Sequence, residues 1–215
     1  MEDSTLKNIW HAQDDKLNRT LKLNLIILES IQTQKARSKL GAIAAFKTWA
    51  VALGIVFVLF CGLLIYGNQL KNIFFTVSIA MIMLFTIYAV VVYIKHIILI
   101  RRLDYSASIT DTQKKLASLQ SSTISSTGIL MLQLPFHSTW FWSWQMINGN
   151  GTKFWLISVP VAIAFTIIGI WLYKNISEKN MDKKWVRSLF NTGPEYKNIV
   201  QARKFLNELE EFKKG

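Results

Sequence analysis

The stretch TWAVALGIVFVLFCGLLIYGNQLKNIFFTVSIAMIMLFTIYAVVVYI, residues 48–94, carries one charge in 47 positions, that of Lys71. The lysine divides it into two apolar runs, 48–70 and 72–94. Each is long enough, at 1.5 Å per helical residue, to cross a hydrocarbon core of about 30 Å. In lipid the backbone must satisfy its own hydrogen bonds, so such runs become helices. The many β-branched residues are no obstacle, because lipid offers the backbone no competing partner.

Two further charge-poor runs follow at 128–147 and 154–173. The expectation is an all-α polytopic membrane protein with four transmembrane helices in two hairpins. Polar regions at 1–47, 95–127 and 174–215 flank and connect them. The first 47 residues lack a short basic stretch leading into an apolar core, so the first span itself is expected to act as the insertion signal.

Basic residues set the expected orientation. Lys35, Arg37, Lys39 and Lys47 precede the first run, and only Lys71 separates the first two. Lys95, Arg101, Arg102, Lys114 and Lys115 lie in the middle region, and only Lys153 joins the last two runs. Lys174, Lys179, Lys183, Lys184 and Arg187 follow. The alternation places both ends and the middle loop on the cytoplasmic side. It also accounts for the net charge of +12 without nucleic acid, since no basic–aromatic platform is present.

The polar regions carry helical patterns. Leu6, Trp10, Leu17, Leu21, Leu25 and Leu28 recur at three, four or seven positions, and neither proline nor glycine precedes Gly41. The middle region should continue the second run to Leu103 and then form a short helix around Leu116 and Leu119. Pro194 suits a first helical turn, after which Ile199, Ala202, Leu206, Leu209 and Phe212 share one side.

The chemistry of most enzymes is missing. No phosphate-binding glycine loop, Ser-His-Asp set or metal-ligand spacing is present. Cys61 is a single thiol inside an apolar run, and His11, His96 and His137 are far apart. No cofactor, metal or catalytic residue is expected. The intramembrane polar candidates are Gln133 and His137, one turn apart around Pro135, which together would serve a small transporter or channel component. The bland alternative is an imidazole hydrogen-bonded to a neighbouring helix. Trp140, Trp142, Trp144 and Trp155 read as an interfacial belt, and Ser158, Ala162, Thr166 and Gly169 as a packing seam. Trp185 with its basic neighbours suits the anionic inner leaflet. Asn148, Gly149, Asn150 and Gly151 form a turn, which is favoured over the glycosylation site that Asn150 also spells.

The interaction candidates are the apolar stripes Trp10, Leu17, Leu21 and Leu28 at one end and Leu206 and Leu209 at the other. They would pack on each other, dock a protein partner, or self-associate through a coiled coil. The expected function is a membrane-tethered interaction or regulatory module, with the lipid bilayer as its constant partner.

Residues 6–14 (LKNIWHAQD) and 21–24 (LKLN), together with Asp104, Tyr105, Ser106 and the ending FLNELEEF from Phe205, resemble a group of small, uncharacterised inner-membrane proteins of Bacteroidota. The resemblance implies a bacterial cytoplasmic membrane and no specific activity.

Overall fold

The computed structural model describes residues 2–103, 109–149 and 151–214, and every regular element among them is helical. α1 (Glu2–Asn68) is one unbroken helix of 67 residues. At 1.5 Å per residue it is about 100 Å long. It continues without interruption from the polar N-terminal region through the first apolar run, and no proline occurs in it.

α1 turns back into α2 (Ile73–Arg101) over four residues. Gln69 and Leu70 both have left-handed backbones, with φ of 46° and 59°. Such residues cost roughly 1–2 kcal/mol each. Asparagines offset the cost. Asn72 caps α2 by accepting from the Phe74 and Phe75 amides, and the Asn68 side chain donates to Asn72 O and Thr76 Oγ1. Gly54 lets the two helices approach closely, because a Cβ there would lie 2.6 Å from Val90 Cγ2.

α3 (Ile109–Leu130) is far longer than the short helix expected near Leu116. Burial of Leu116, Leu119 and Ile124 against α1 and the two C-terminal helices holds this Ser/Thr-rich segment helical, and Thr123 and Thr127 each turn a hydroxyl to the carbonyl four residues earlier. The chain then tightens into a 3₁₀ turn (Met131–Gln133) and enters α4 (Leu134–Thr139) with Pro135 in its first turn. Residues 140–143 leave the helix, and α5 (Trp144–Gly149) follows. The expected single helix over 128–147 is therefore a composite. Proline removes one backbone donor at the tightened turn, and the break at 140–143 is held by Asn72 Nδ2, which donates to the Trp142 carbonyl at 2.7 Å.

α6 (Gly151–Lys153), a π-turn (Phe154–Ser158) and α7 (Val159–Asn175) make one continuous rod. The expected seam is real. Ala162 and Gly169 are buried, Ser158 and Thr166 half-buried, and a Cβ on Gly169 would lie 2.9 Å from the Met131 carbonyl. Among the described residues three rods are long and apolar enough to cross a membrane, lying within α1, in α2 and in Gly151–Asn175. The composite segment packs between α2 and α7, where Ser78 and Thr139 hydroxyls meet at 2.9 Å.

α8 (Lys184–Thr192) and α9 (Pro194–Lys214) close the chain. α9 runs antiparallel to α1: Glu195 meets Lys47 and Glu208 meets Gln32. Their joint core comprises Ala36, Leu40 and Ile43 of α1, Ile100 and Leu103, Leu116 and Leu119 of α3, and Ile199, Ala202 and Leu206 of α9. Leu40, Leu116, Leu119 and Ile199 are wholly buried, and each such side chain stabilises by about 1.5–3 kcal/mol.

Candidate functional site

Two features of the polar bundle stand out: a buried charge network where it meets the charge-free runs, and an arm that extends beyond it.

The network begins with Lys47, which continues the inward-facing positions 36, 40 and 43 of α1 by one more turn. Its side chain is 0% exposed. Its ammonium pairs with Glu195, in the first turn of α9, and lies 3.8 Å from the centre of the Tyr93 ring. Thr123 Oγ1 lies 3.2 Å from the same Glu195 oxygen, its one proton shared between that carboxylate and the Leu119 carbonyl. The carboxylate also sits at the positive end of its own helix. Burial pulls the Lys47 ammonium below its usual range, and the charge and hydrogen bond of Glu195 oppose that shift.

His96 stands one turn past Tyr93, just beyond the 72–94 run, and its ring stacks on the tyrosine. Its Nε2 lies 2.8 Å from Ser122 Oγ, while Nδ1 is buried without a partner. Burial, and then the nearby Lys47 charge, hold the imidazole at a pKa of about 4. A neutral ring fits this surrounding, because a second cation beside Lys47 would be repelled. Further out, Arg203 reaches Gln120 Oε1, Gln120 Nε2 donates to Tyr196 Oη at 2.7 Å, and Gln113 joins Asn207 and Glu210. Four elements, α1, α2, α3 and α9, thus meet at one set of polar contacts. The positions 36, 40, 43 and 47 share a helix face, and that spacing was the available signal for Lys47.

The two interaction stripes have different fates. Leu206 and Leu209 are 3% and 1% exposed, consumed in the core against α1 and α3. Leu28 is half-buried where α9 ends. Trp10, Leu17 and Leu21 are 73%, 57% and 53% exposed. They lie on the part of α1 that α9 does not reach, and Leu23, Ile26, Ile27 and Ile31 are exposed with them.

The intramembrane candidates are less closely joined than their spacing suggested. Gln133 ends the 3₁₀ turn and is half-buried, whereas His137 on α4 is exposed. The tryptophans divide. Trp142 packs edge-on between Phe74 and Phe154, while Trp140, Trp144 and Trp155 face outward. Trp185 stacks on Trp171 at 5.1 Å, with Val186 and Phe190 of the same helix turned inward. Among the described residues no group of His, Cys, Asp or Glu could hold a metal ion. Asp104, Tyr105, Ser106 and Asn150 lie outside the described residues, as does the side chain of Phe212.

No protein-family model matches the chain, and neither a curated protein nor a solved structure is significantly similar to it.

Proposed function

We propose that this protein is a membrane-tethered interaction module that presents the N-terminal arm of α1 to a protein partner in the cytoplasm. It is a non-catalytic protein of the bacterial cytoplasmic membrane with four crossings and both ends inside. The third crossing is the composite segment, which packs between α2 and α7. The alternation of basic residues supports the orientation, and the resemblance to Bacteroidota inner-membrane proteins supports the location.

One observation carries the functional reading. Of the two apolar stripes, the C-terminal one is used within the bundle, and the N-terminal one is left uncovered. A contiguous apolar stripe on an arm projecting from a packed bundle is the kind of surface that marks a binding site. The residues linking the crossings on the opposite side are few, so recognition falls to the bundle side. A transporter or channel component built on Gln133 and His137 is the weaker reading, because the exposed His137 does not line an interior path.

The test is affinity capture from detergent extracts with the intact protein and a Leu17→Gln/Leu21→Gln variant. Both positions are exposed, so the bundle should stay folded. The intact chain should retain a partner, whether a different protein or a differently tagged copy of itself, that the variant loses. Identical capture by the two would overturn the proposal. Reporter fusions at Asp3, Asn150 and Lys213 test the topology, and an external reporter at either end would refute it.

A further inference from the structure

The uncovered arm has a heptad seam. Leu17, Leu21, Asn24, Leu28 and Ile31 follow one another at spacings of four, three, four and three, with Trp10 one heptad before Leu17. In coiled-coil terms Leu21 and Leu28 take a positions and Trp10, Leu17, Asn24 and Ile31 take d positions. The seam lies beside the face that α9 covers, roughly a quarter-turn around the helix from Gln32, Ala36 and Leu40 at 100° per residue. It is therefore open along its length, except at half-buried Leu28.

Charge favours one kind of occupant. Residues 1–31 hold five acids (Glu2, Asp3, Asp14, Asp15, Glu29) and four bases (Lys7, Lys16, Arg19, Lys22), a net of −1. The whole chain is +12, so residues 32–215 carry +13. The arm is the region where two copies do not repel each other, and the one with least attraction to an anionic lipid surface. The flanking e and g positions of the seam also lack like charges: Gln13, Asn18, Thr20, Leu25, Ile27 and Gln32. Asp14 and Lys7, at a positions, and Asp3, at a d position, would each face their own copy, which confines the tight part of the seam to 17–31.

Geometry selects a parallel arrangement. Copies inserted in one membrane carry their arms at the same height and pointing the same way, so equal residues meet without any search for register. Exposure of Leu17, Leu21, Ile27 and Ile31, within 17–31, ranges from 43% to 57%. Covering them would bury roughly 400 Å² per copy, or about 800 Å² in total, less than a free-standing interface needs, so the pair relies on its copies sharing one membrane.

We propose that the arm's partner is the arm of a second copy, joined as a parallel coiled coil through Leu17, Leu21, Asn24, Leu28 and Ile31. This rests on the reading of the arm as an interaction surface and names what it binds.

The experiment uses the full chain in proteoliposomes, with Cys61→Ala as common background and single cysteines at Leu21 and Asn24 on the seam or Lys22 and Ile26 off it. Mild oxidation should cross-link the seam positions at least about tenfold more than the off-seam ones, as a two-fold a/d contact requires. Adding Leu17→Glu to the Asn24→Cys protein should abolish its cross-link. Equal cross-linking at all four positions, or none, overturns the proposal. If cross-linking fails while Leu17→Gln/Leu21→Gln still loses a different protein in the capture assay, the second-copy inference is refuted and the interaction-module reading stands. If both fail, both are wrong.

Discussion

Replacing Glu195 with Gln should be among the most damaging single changes in the bundle. Glu195 is the carboxylate that pairs with the wholly buried Lys47 ammonium. Removing one partner of a buried pair costs about 3–5 kcal/mol, because the other charge is left uncompensated. Lys47 has an escape that sets a ceiling: it can lose its proton. From its ordinary value of 10.5, neutralisation at pH 7.5 spans about three pH units, or about 4 kcal/mol at 1.36 kcal/mol per unit. A loss near 3–4 kcal/mol should lower the melting temperature in detergent by roughly 6–16 °C for a chain of this size. The sign of the pH dependence follows. A lysine whose folded pKa is lowered penalises folding fully below that pKa, and the penalty fades as pH rises towards 10.5. The variant's deficit should therefore shrink between pH 8 and 10. Lys47→Met/Glu195→Gln should recover most of the loss at neutral pH, since no buried charge remains. The reasoning is refuted if Glu195→Gln melts within about 2 °C of the parent, or if the double variant is no more stable than the single one.

Other outcomes follow from the same packing. Leu206→Ala should cost about 2–5 kcal/mol through lost burial and a cavity, whereas Leu17→Ala on the arm should stay within about 0.5 kcal/mol, both read by denaturation in detergent dilute enough to keep copies apart. Gly169→Leu should destabilise by about 1–3 kcal/mol, because the obstacle is the Met131 backbone carbonyl, and Gly62→Ala should gain up to about 1 kcal/mol in open space. His96, held at about 4, is stabilising as a neutral ring above its ordinary value of 6.5. That contribution should be lost as pH falls from 6.5 towards 4, and His96→Gln should flatten that part of the melting-temperature profile.

Several elements could be read directly from the sequence because one physical rule dominates each. Charge-free runs report lipid-length helices, and the pattern of Ile199, Ala202, Leu206 and Leu209 reports a buried face. The lack of proline or glycine ahead of Gly41 allowed a long first helix. Other features depended on tertiary contacts that periodicity does not encode. Lys47 reads as one more basic residue flanking a span until Glu195, more than a hundred positions away, is placed against it. The Ser/Thr-rich segment looks weakly helical, yet Leu116 and Leu119 are wholly buried against α1 and α9 and hold it as α3. The composite third segment is free of charge throughout, and its break is met by Asn72 reaching across from the start of another helix to the Trp142 carbonyl. The arm's stripe and the α9 stripe look alike in sequence. Their difference is tertiary: Leu206 and Leu209 pack inside the bundle, and Trp10, Leu17 and Leu21 are exposed.

α1 also has a mechanical consequence. With no break between the arm and the 48–70 run, the azimuth of Leu21 and that of Trp49 are locked together as on a single shaft. Rotating the apolar segment by one residue's worth, about 100°, swings the arm's seam by the same angle. A residue inserted ahead of Leu28, beyond the Gln32–Glu208 contact, would leave the bundle seated and turn the arm out of phase. Seven inserted residues would return it to within about 20° while lengthening it by about 10 Å. A periodic response to insertion length would reveal torsional coupling between the two ends of one helix.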